Sequence, residues 1–177
     1  MRLLFVPLLL VGLAGCALLP ATGPDTLAAP TQELQTTFIV VRHAEKATDN
    51  PDDPALDERG QARARSLAEA LANVPLTAVY ATPTLRTRQT AAPVAADKAL
   101  EVRDYDPALA ASELATMLHI RHAGDTVLLV GHSNTVPGIV TALCACPVDP
   151  LTEADYGDLY QVRIDAGGEA TLERSRF

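Results

Sequence analysis

The sequence predicts an α/β fold built on an open sheet, and three observations carry that prediction. Short apolar runs at Thr37–Val41, Thr77–Tyr80 and Asp125–Val130 have the length and β-branched content of buried strands. Stretches with helical apolar spacing separate them. Two of the runs, the first and the third, open directly into a turn that carries a histidine. The carboxyl edge of the strands is where an open α/β sheet binds its ligands.

The first strand, Thr37-Phe38-Ile39-Val40-Val41, runs into Arg42-His43-Ala44-Glu45-Lys46, where four of five side chains can carry charge or move protons. A polar, acidic loop with Pro51 and Pro54 follows and is expected beside the mouth of the site. Asp57 caps a helix reaching to about Asn73, with Ala64, Leu67, Ala68 and Leu71 forming one apolar face. Arg59, Arg63 and Arg65 belong to its solvated, ion-paired exterior.

After the second strand, Pro83 suits the first turn of a helix with Thr82 as its cap. Arg86 and Arg88 lie about 200° apart on that helix, so only one of them can face the end of the first strand. Arg86, in the first turn and nearest the carboxyl edge, is that one. Leu100–Val102 reads as a short edge strand, and a helix is expected from about Ala108 to His122. His119 and His122 are read as exposed helix-end histidines without a third ligand for a metal.

Asp125–Val130 is apolar through its centre, as a strand covered on both faces should be. It opens into Gly131-His132-Ser133-Asn134-Thr135, any of whose last three residues can cap the helix that carries Ile139 to Leu143. His132 then sits beside a helix N-terminus that favours anions. Cys144 and Cys146 read as small buried hydrophobes, because a disulfide across one residue would be strained. The tail reads as a β-hairpin, Leu159–Ile164 and Glu169–Glu173, turning at Gly167-Gly168.

The first thirty-odd residues do not belong to this domain. Arg2, the apolar run Leu3–Leu13 and the closing Leu13-Ala14-Gly15-Cys16 have the layout of a secretory signal, with a run too short to span a bilayer. The closing tetrapeptide resembles the bacterial lipoprotein cleavage box. That resemblance implies removal of residues 1–15, acylation of Cys16 (palmitate among the chains) and, with Ala17 following, the periplasmic face of the outer membrane in a Gram-negative cell. Residues 16–35, with Pro20, Pro24 and Pro30, read as a flexible tether, and residues 36–177 as the domain. Without residues 1–15 the chain holds 13 Lys and Arg against 22 Asp and Glu, a net charge of −9. That balance argues against nucleic acid and against electrostatic attachment to anionic lipid, leaving acyl chains as the membrane contact.

Histidines at two strand ends with arginines beside them are suited to an anionic phosphoryl group. Guanidiniums bind its oxygens in pairs, and imidazoles attack or protonate. Arg42-His43-Ala44-Glu45-Lys46, Leu56-Asp57-Glu58-Arg59-Gly60-Gln61-Ala62, the Arg86 helix ending Gln89-Thr90-Ala91, and Gly131-His132-Ser133-Asn134 resemble, in order, the motifs of the histidine phosphatase (phosphoglycerate-mutase-like) superfamily. The resemblance implies a three-layer α/β/α sandwich around a mostly parallel sheet, with no metal or other cofactor. It implies His43 as the transiently phosphorylated nucleophile, with Arg42, Arg86 and His132 around the phosphoryl oxygens. Glu45, in the first motif, is either structural or substrate-facing, and Lys46 and Ser133 are further candidates for substrate contact. For the general acid the family uses a carboxylic acid between the arginine helix and the last catalytic strand; Asp106 is favoured here over Asp104, Glu101 and Glu113.

The function so implied is a cell-envelope phosphatase acting on phosphorylated small molecules or envelope components. Two alternatives accompany it: a phosphohistidine-protein phosphatase, and a non-catalytic lipoprotein that binds phosphorylated glycan or lipid.

Overall fold

The protein is described by a computed structural model covering residues 34–177; the signal and lipidation expectations, and all but the last two residues of the expected tether, lie outside the described residues. Among the described residues six strands form one sheet: β1 (Thr36–Arg42), β2 (Ala78–Ala81), β3 (Val102–Asp104), β4 (Thr126–Gly131), β5 (Asp158–Ile164) and β6 (Ala170–Arg176). Four helices connect them: α1 (Glu58–Ala70), α2 (Leu85–Asp97), α3 (Ala111–Arg121) and α4 (Val136–Cys144). The strand order is β3-β2-β4-β1-β5-β6. The first four strands are mutually parallel, and the terminal hairpin joins β1 antiparallel through β5.

Alternation along the strands sorts the core into two layers, because successive side chains on a strand point to opposite faces. Phe38, Val40, Tyr80, Val127 and Leu129 meet Leu114 and Leu118 of α3 and Ile139, Val140 and Leu143 of α4. Ile39, Val41, Val79, Leu128 and Val130 meet Leu67 of α1, Leu71 at its C-cap, and Ala91, Val94 and Ala95 of α2. The result is the three-layer sandwich around a mostly parallel sheet. Both faces of β1 and β4 are covered, which is why they are apolar without alternation.

Several local expectations change. The cap of α2 is Thr84, in extended backbone, rather than Thr82, and Pro83 precedes the helix. Thr82 continues the line of β2, and its hydroxyl is engaged elsewhere. The third helix starts at Ala111, since Asp106 and Pro107 hold the preceding residues in a turn. His119 and His122 are not exposed. His119 packs edge-on against Phe38, and the buried His122 bridges the Tyr80 hydroxyl at 3.0 Å and the Asp125 carboxylate at 2.9 Å. Cys144 and Cys146 are joined as a disulfide, with Ala145 between them in the left-handed region at φ +53°. A residue in that conformation ends a helix and turns the chain back, which brings the two sulfurs together.

Candidate active site

Register places the site. Arg42 at the end of β1 pairs with Gly131 at the end of β4, and the His43 amide donates to the Gly131 carbonyl at 2.9 Å. His43 and His132 therefore leave adjacent strands side by side, their rings edge to face with centroids 5.4 Å apart. Ala81 of β2 pairs with Val130, so Thr82 emerges next to His132.

The backbone fixes the state of His43. Its Nδ1 lies 2.8 Å from the carbonyl of Ala44. A carbonyl only accepts, so Nδ1 carries the proton and Nε2 keeps its lone pair. The ring is buried, and its pKa falls from 6.5 to about 4, first through burial and then through the charges of His132, Arg42 and Arg86 against the backbone bond. His132 is lowered to about 4 in the same way, by burial first and then by Arg86, Arg42 and Lys46. Its Nε2 lies 2.8 Å from the Thr82 hydroxyl, which leaves Nδ1 as the nitrogen not used in that bond. Thr82 is in turn 3.0 Å from Thr87, whose hydroxyl donates to the Thr82 carbonyl.

Arg42 is almost fully buried, at 3% exposure. Its Nη1 donates to the carbonyls of Thr152 and Asp155 at 2.8 and 2.9 Å. Its Nη2 reaches Glu153 at 3.1 Å and the Tyr156 hydroxyl at 3.3 Å, and the guanidinium stacks over the Tyr156 ring at 4.1 Å. The segment from Thr152 to Tyr156 thus holds the arginine from behind and from one side. On the opposite side of the two histidines, Arg86 is half-buried and 3.6 Å from Asp53, whose carboxylate also accepts from the Leu85 amide at 2.9 Å. Arg88 points away and pairs with Asp104.

Three candidates from the sequence are engaged by other groups of the protein. Glu45 faces α1, where its carboxylate takes a two-pronged bond from Arg63 at 2.8 and 2.6 Å and a longer contact from Arg59, and Arg63 holds its carboxyl below the usual range. It anchors the turn, which is the structural of the two roles the sequence allows it. Ser133 donates to Glu153 at 2.8 Å. Asp106 accepts from the Ala108 amide within its own exposed turn, and Asp104 is taken by Arg88. Lys46 remains exposed at the mouth, close enough to bear on the charges of His132 and Glu153.

Sequence reasoning missed Thr82, Glu153 and Tyr156. The rule that found the histidines, a polar residue at the end of a buried strand, would have found Thr82. Nothing in the spacing links Arg42 to residues 110 positions later. Among the described residues, no group of three His, Cys, Asp or Glu side chains is placed to hold a metal ion.

Residues 38–114 match the family model of the histidine phosphatase superfamily, branch 1. The fold is shared with the protein histidine phosphatase SixA complexed with tungstate, at 22% identity over 79% of this chain and 96% of that one, with a TM-score of 0.62. YhfR of Bacillus stearothermophilus aligns at 20% identity over 77% and 95% of the two chains, with a TM-score of 0.63. A mycobacterial glucosyl-3-phosphoglycerate phosphatase aligns at 14% identity over 81% and 98%, with a TM-score of 0.64. At these identities the likeness is one of fold. No curated protein sequence matches the chain. The matched segment runs from β1 into the start of α3 and includes Arg42, His43 and Arg86.

Proposed function

We propose that the chain is a lipid-anchored phosphatase of the cell envelope that hydrolyses phosphomonoesters through phosphorylated His43. The observation that carries the chemistry is the bond from His43 Nδ1 to the Ala44 carbonyl, which leaves Nε2 unprotonated beside two guanidiniums and a second imidazole. In the first step Nε2 forms a bond to phosphorus as the bond to the leaving oxygen breaks. Arg42, Arg86 and His132 stabilise the charge on the three spectator oxygens. In the second step water attacks phosphorus, the P–N bond breaks, and inorganic phosphate and free His43 result.

The leaving oxygen needs a proton. Asp106 and Asp104 are held in other contacts. Ser133 and Arg42 hold the Glu153 carboxyl below its usual range, which makes it a poor donor. The proton then comes from solvent at the open mouth. The lipid anchor and the envelope location rest on Leu13-Ala14-Gly15-Cys16 and the apolar run before it.

A second reading, removal of phosphate from histidine on a protein, is favoured by the short connection between α2 and α3. Residues 98–110 form only β3 and a turn, so this connection adds no covering domain over the histidines.

Alkaline quenching during turnover of an aryl phosphate should trap an acid-labile phosphohistidine, mapped by peptide analysis to His43. His43→Ala should lose the label and at least about a thousandfold in kcat, and His132→Ala about a hundredfold with any residual label still at His43. Label on His132, or near-normal turnover by His43→Ala, would refute the mechanism.

A further inference from the structure

Each guanidinium flanking the histidines carries a carboxylate on its outer side. Glu153 sits on Arg42 Nη2 at 3.1 Å while accepting from Ser133 at 2.8 Å, and its side chain is 73% exposed. Asp53 sits 3.6 Å from Arg86 and is fixed by the Leu85 amide, with its side chain 42% exposed. Both carboxylates therefore lie at the rim, where the part of a substrate beyond its phosphoryl group must pass. Of the other acids in the surrounding turns, Glu45 is turned to Arg63, Asp57 to the Gly60 amide at the start of α1, and Asp155 to Thr152, while Asp49 and Asp52 stand exposed further out in the loop of Asp53.

A count of charge at the mouth gives three cations, Arg42, Arg86 and Lys46, and two carboxylates, Glu153 and Asp53. The histidines are neutral near pH 7. The empty pocket thus carries one positive charge, and a bound phosphoryl dianion turns it to one negative charge. A further anion on the substrate would deepen that excess beside two exposed carboxylates. A cation would remove it. In a half-open site each such interaction, over about 5 Å at intermediate dielectric, is worth about tenfold in binding.

We propose that Glu153 and Asp53 are specificity-determining residues that select phosphomonoesters whose leaving group carries an ammonium, and discriminate against those carrying a second anion. This rests on the phosphatase reading above and adds a substrate class to it. Glu153 keeps its seat on Ser133 and Arg42 and faces the leaving group, while Asp53 does the same from the Arg86 side. The contribution of Lys46 is opposite in sign, and the two carboxylates outweigh it.

The test measures kcat/KM for four probes: 4-nitrophenyl phosphate, O-phosphoethanolamine, 2-hydroxyethyl phosphate and 2-phosphoglycolate. The last three have nearly the same size and differ in charge. The wild-type order should run ammonium, neutral, carboxylate, with about a hundredfold between the extremes. Glu153→Gln and Asp53→Asn should each reduce that ratio about tenfold, and Glu153→Lys should bring the carboxylate substrate level with the ammonium one or ahead of it. Because the ratio is taken within one variant, a general loss of activity cancels. Hydrolysis of the aryl phosphate with the three small probes treated alike, or with the carboxylate preferred, would overturn the inference and leave the phosphatase reading standing. A wild-type chain inert towards all four probes would overturn both.

Discussion

At the scale of single residues, the site works by keeping two imidazoles neutral in cationic surroundings. A positive His43 would have to be buried beside Arg42 and Arg86, so protonation is deferred to about pH 4. The sign for stability follows. Between pH 6.5 and 4 the unfolded chain binds protons at His43 and His132 that the folded chain does not, so stability falls as pH drops through that window and is retained above it. NMR titration should give both rings midpoints near 4 in the native protein, and denaturant midpoints should decline from pH 6.5 to 4 in the wild type more than in His43→Ala. Midpoints near 6.5 would mean that the rings are solvated and positively charged in mild acid. His43, Arg42, Arg86 and His132 could be picked out from the chain because each stands at a strand end or in the first turn of a helix, where position follows from local pattern. Glu45 could not be placed that way. Its role depends on Arg63 across a turn, a pairing that the local pattern does not encode.

At the scale of elements, the joint between β1 and α1 holds the nucleophile in place. The Asp57 amide donates to the Glu45 carbonyl at 3.1 Å, Asp57 caps α1 through the Gly60 amide at 2.7 Å, and Lys46 bridges Leu56. Gly60 lies against this backbone so closely that an added Cβ would stand 2.1 Å from the Glu45 carbonyl oxygen. Backbone cannot step aside as a side-chain tip can. Gly60→Ala should therefore cost about 1–3 kcal/mol in denaturant-monitored unfolding and should shift the His43 turn, lowering kcat as well. A neutral outcome in both would show that the helix can slide away from the turn. The elements themselves were legible because apolar runs and caps are local signals. Their edges moved where side chains made other bonds, as when the Thr82 hydroxyl turned to His132 and left the capping position to Thr84. The disulfide between Cys144 and Cys146 departs from the local expectation for a similar reason. The left-handed Ala145 makes the close approach feasible, and an alanine gives no sequence sign of that conformation.

At the scale of the whole molecule, the expected anchor would hold the domain to a membrane through the twenty-residue tether that begins at Cys16. Full-length chain should partition into detergent and take up a fatty-acid label, and Cys16→Ala should do neither while retaining phosphatase activity; equal labelling of the two would refute lipidation. The four-strand parallel part of the fold could be read from the sequence in chain order, whereas the binding of Arg42 by residues 152–156 could not, because it joins distant ends of the domain. That same contact has a kinetic side. Among the described strands, the one that leads into His43 precedes both of its neighbours, β4 and β5, in the chain, and its arginine is held by the segment between α4 and β5. Closing such distant pairs is slow. A chain emerging from its N-terminus therefore carries His43 without a completed site around it until residues 152–156 and the strand after them have been delivered.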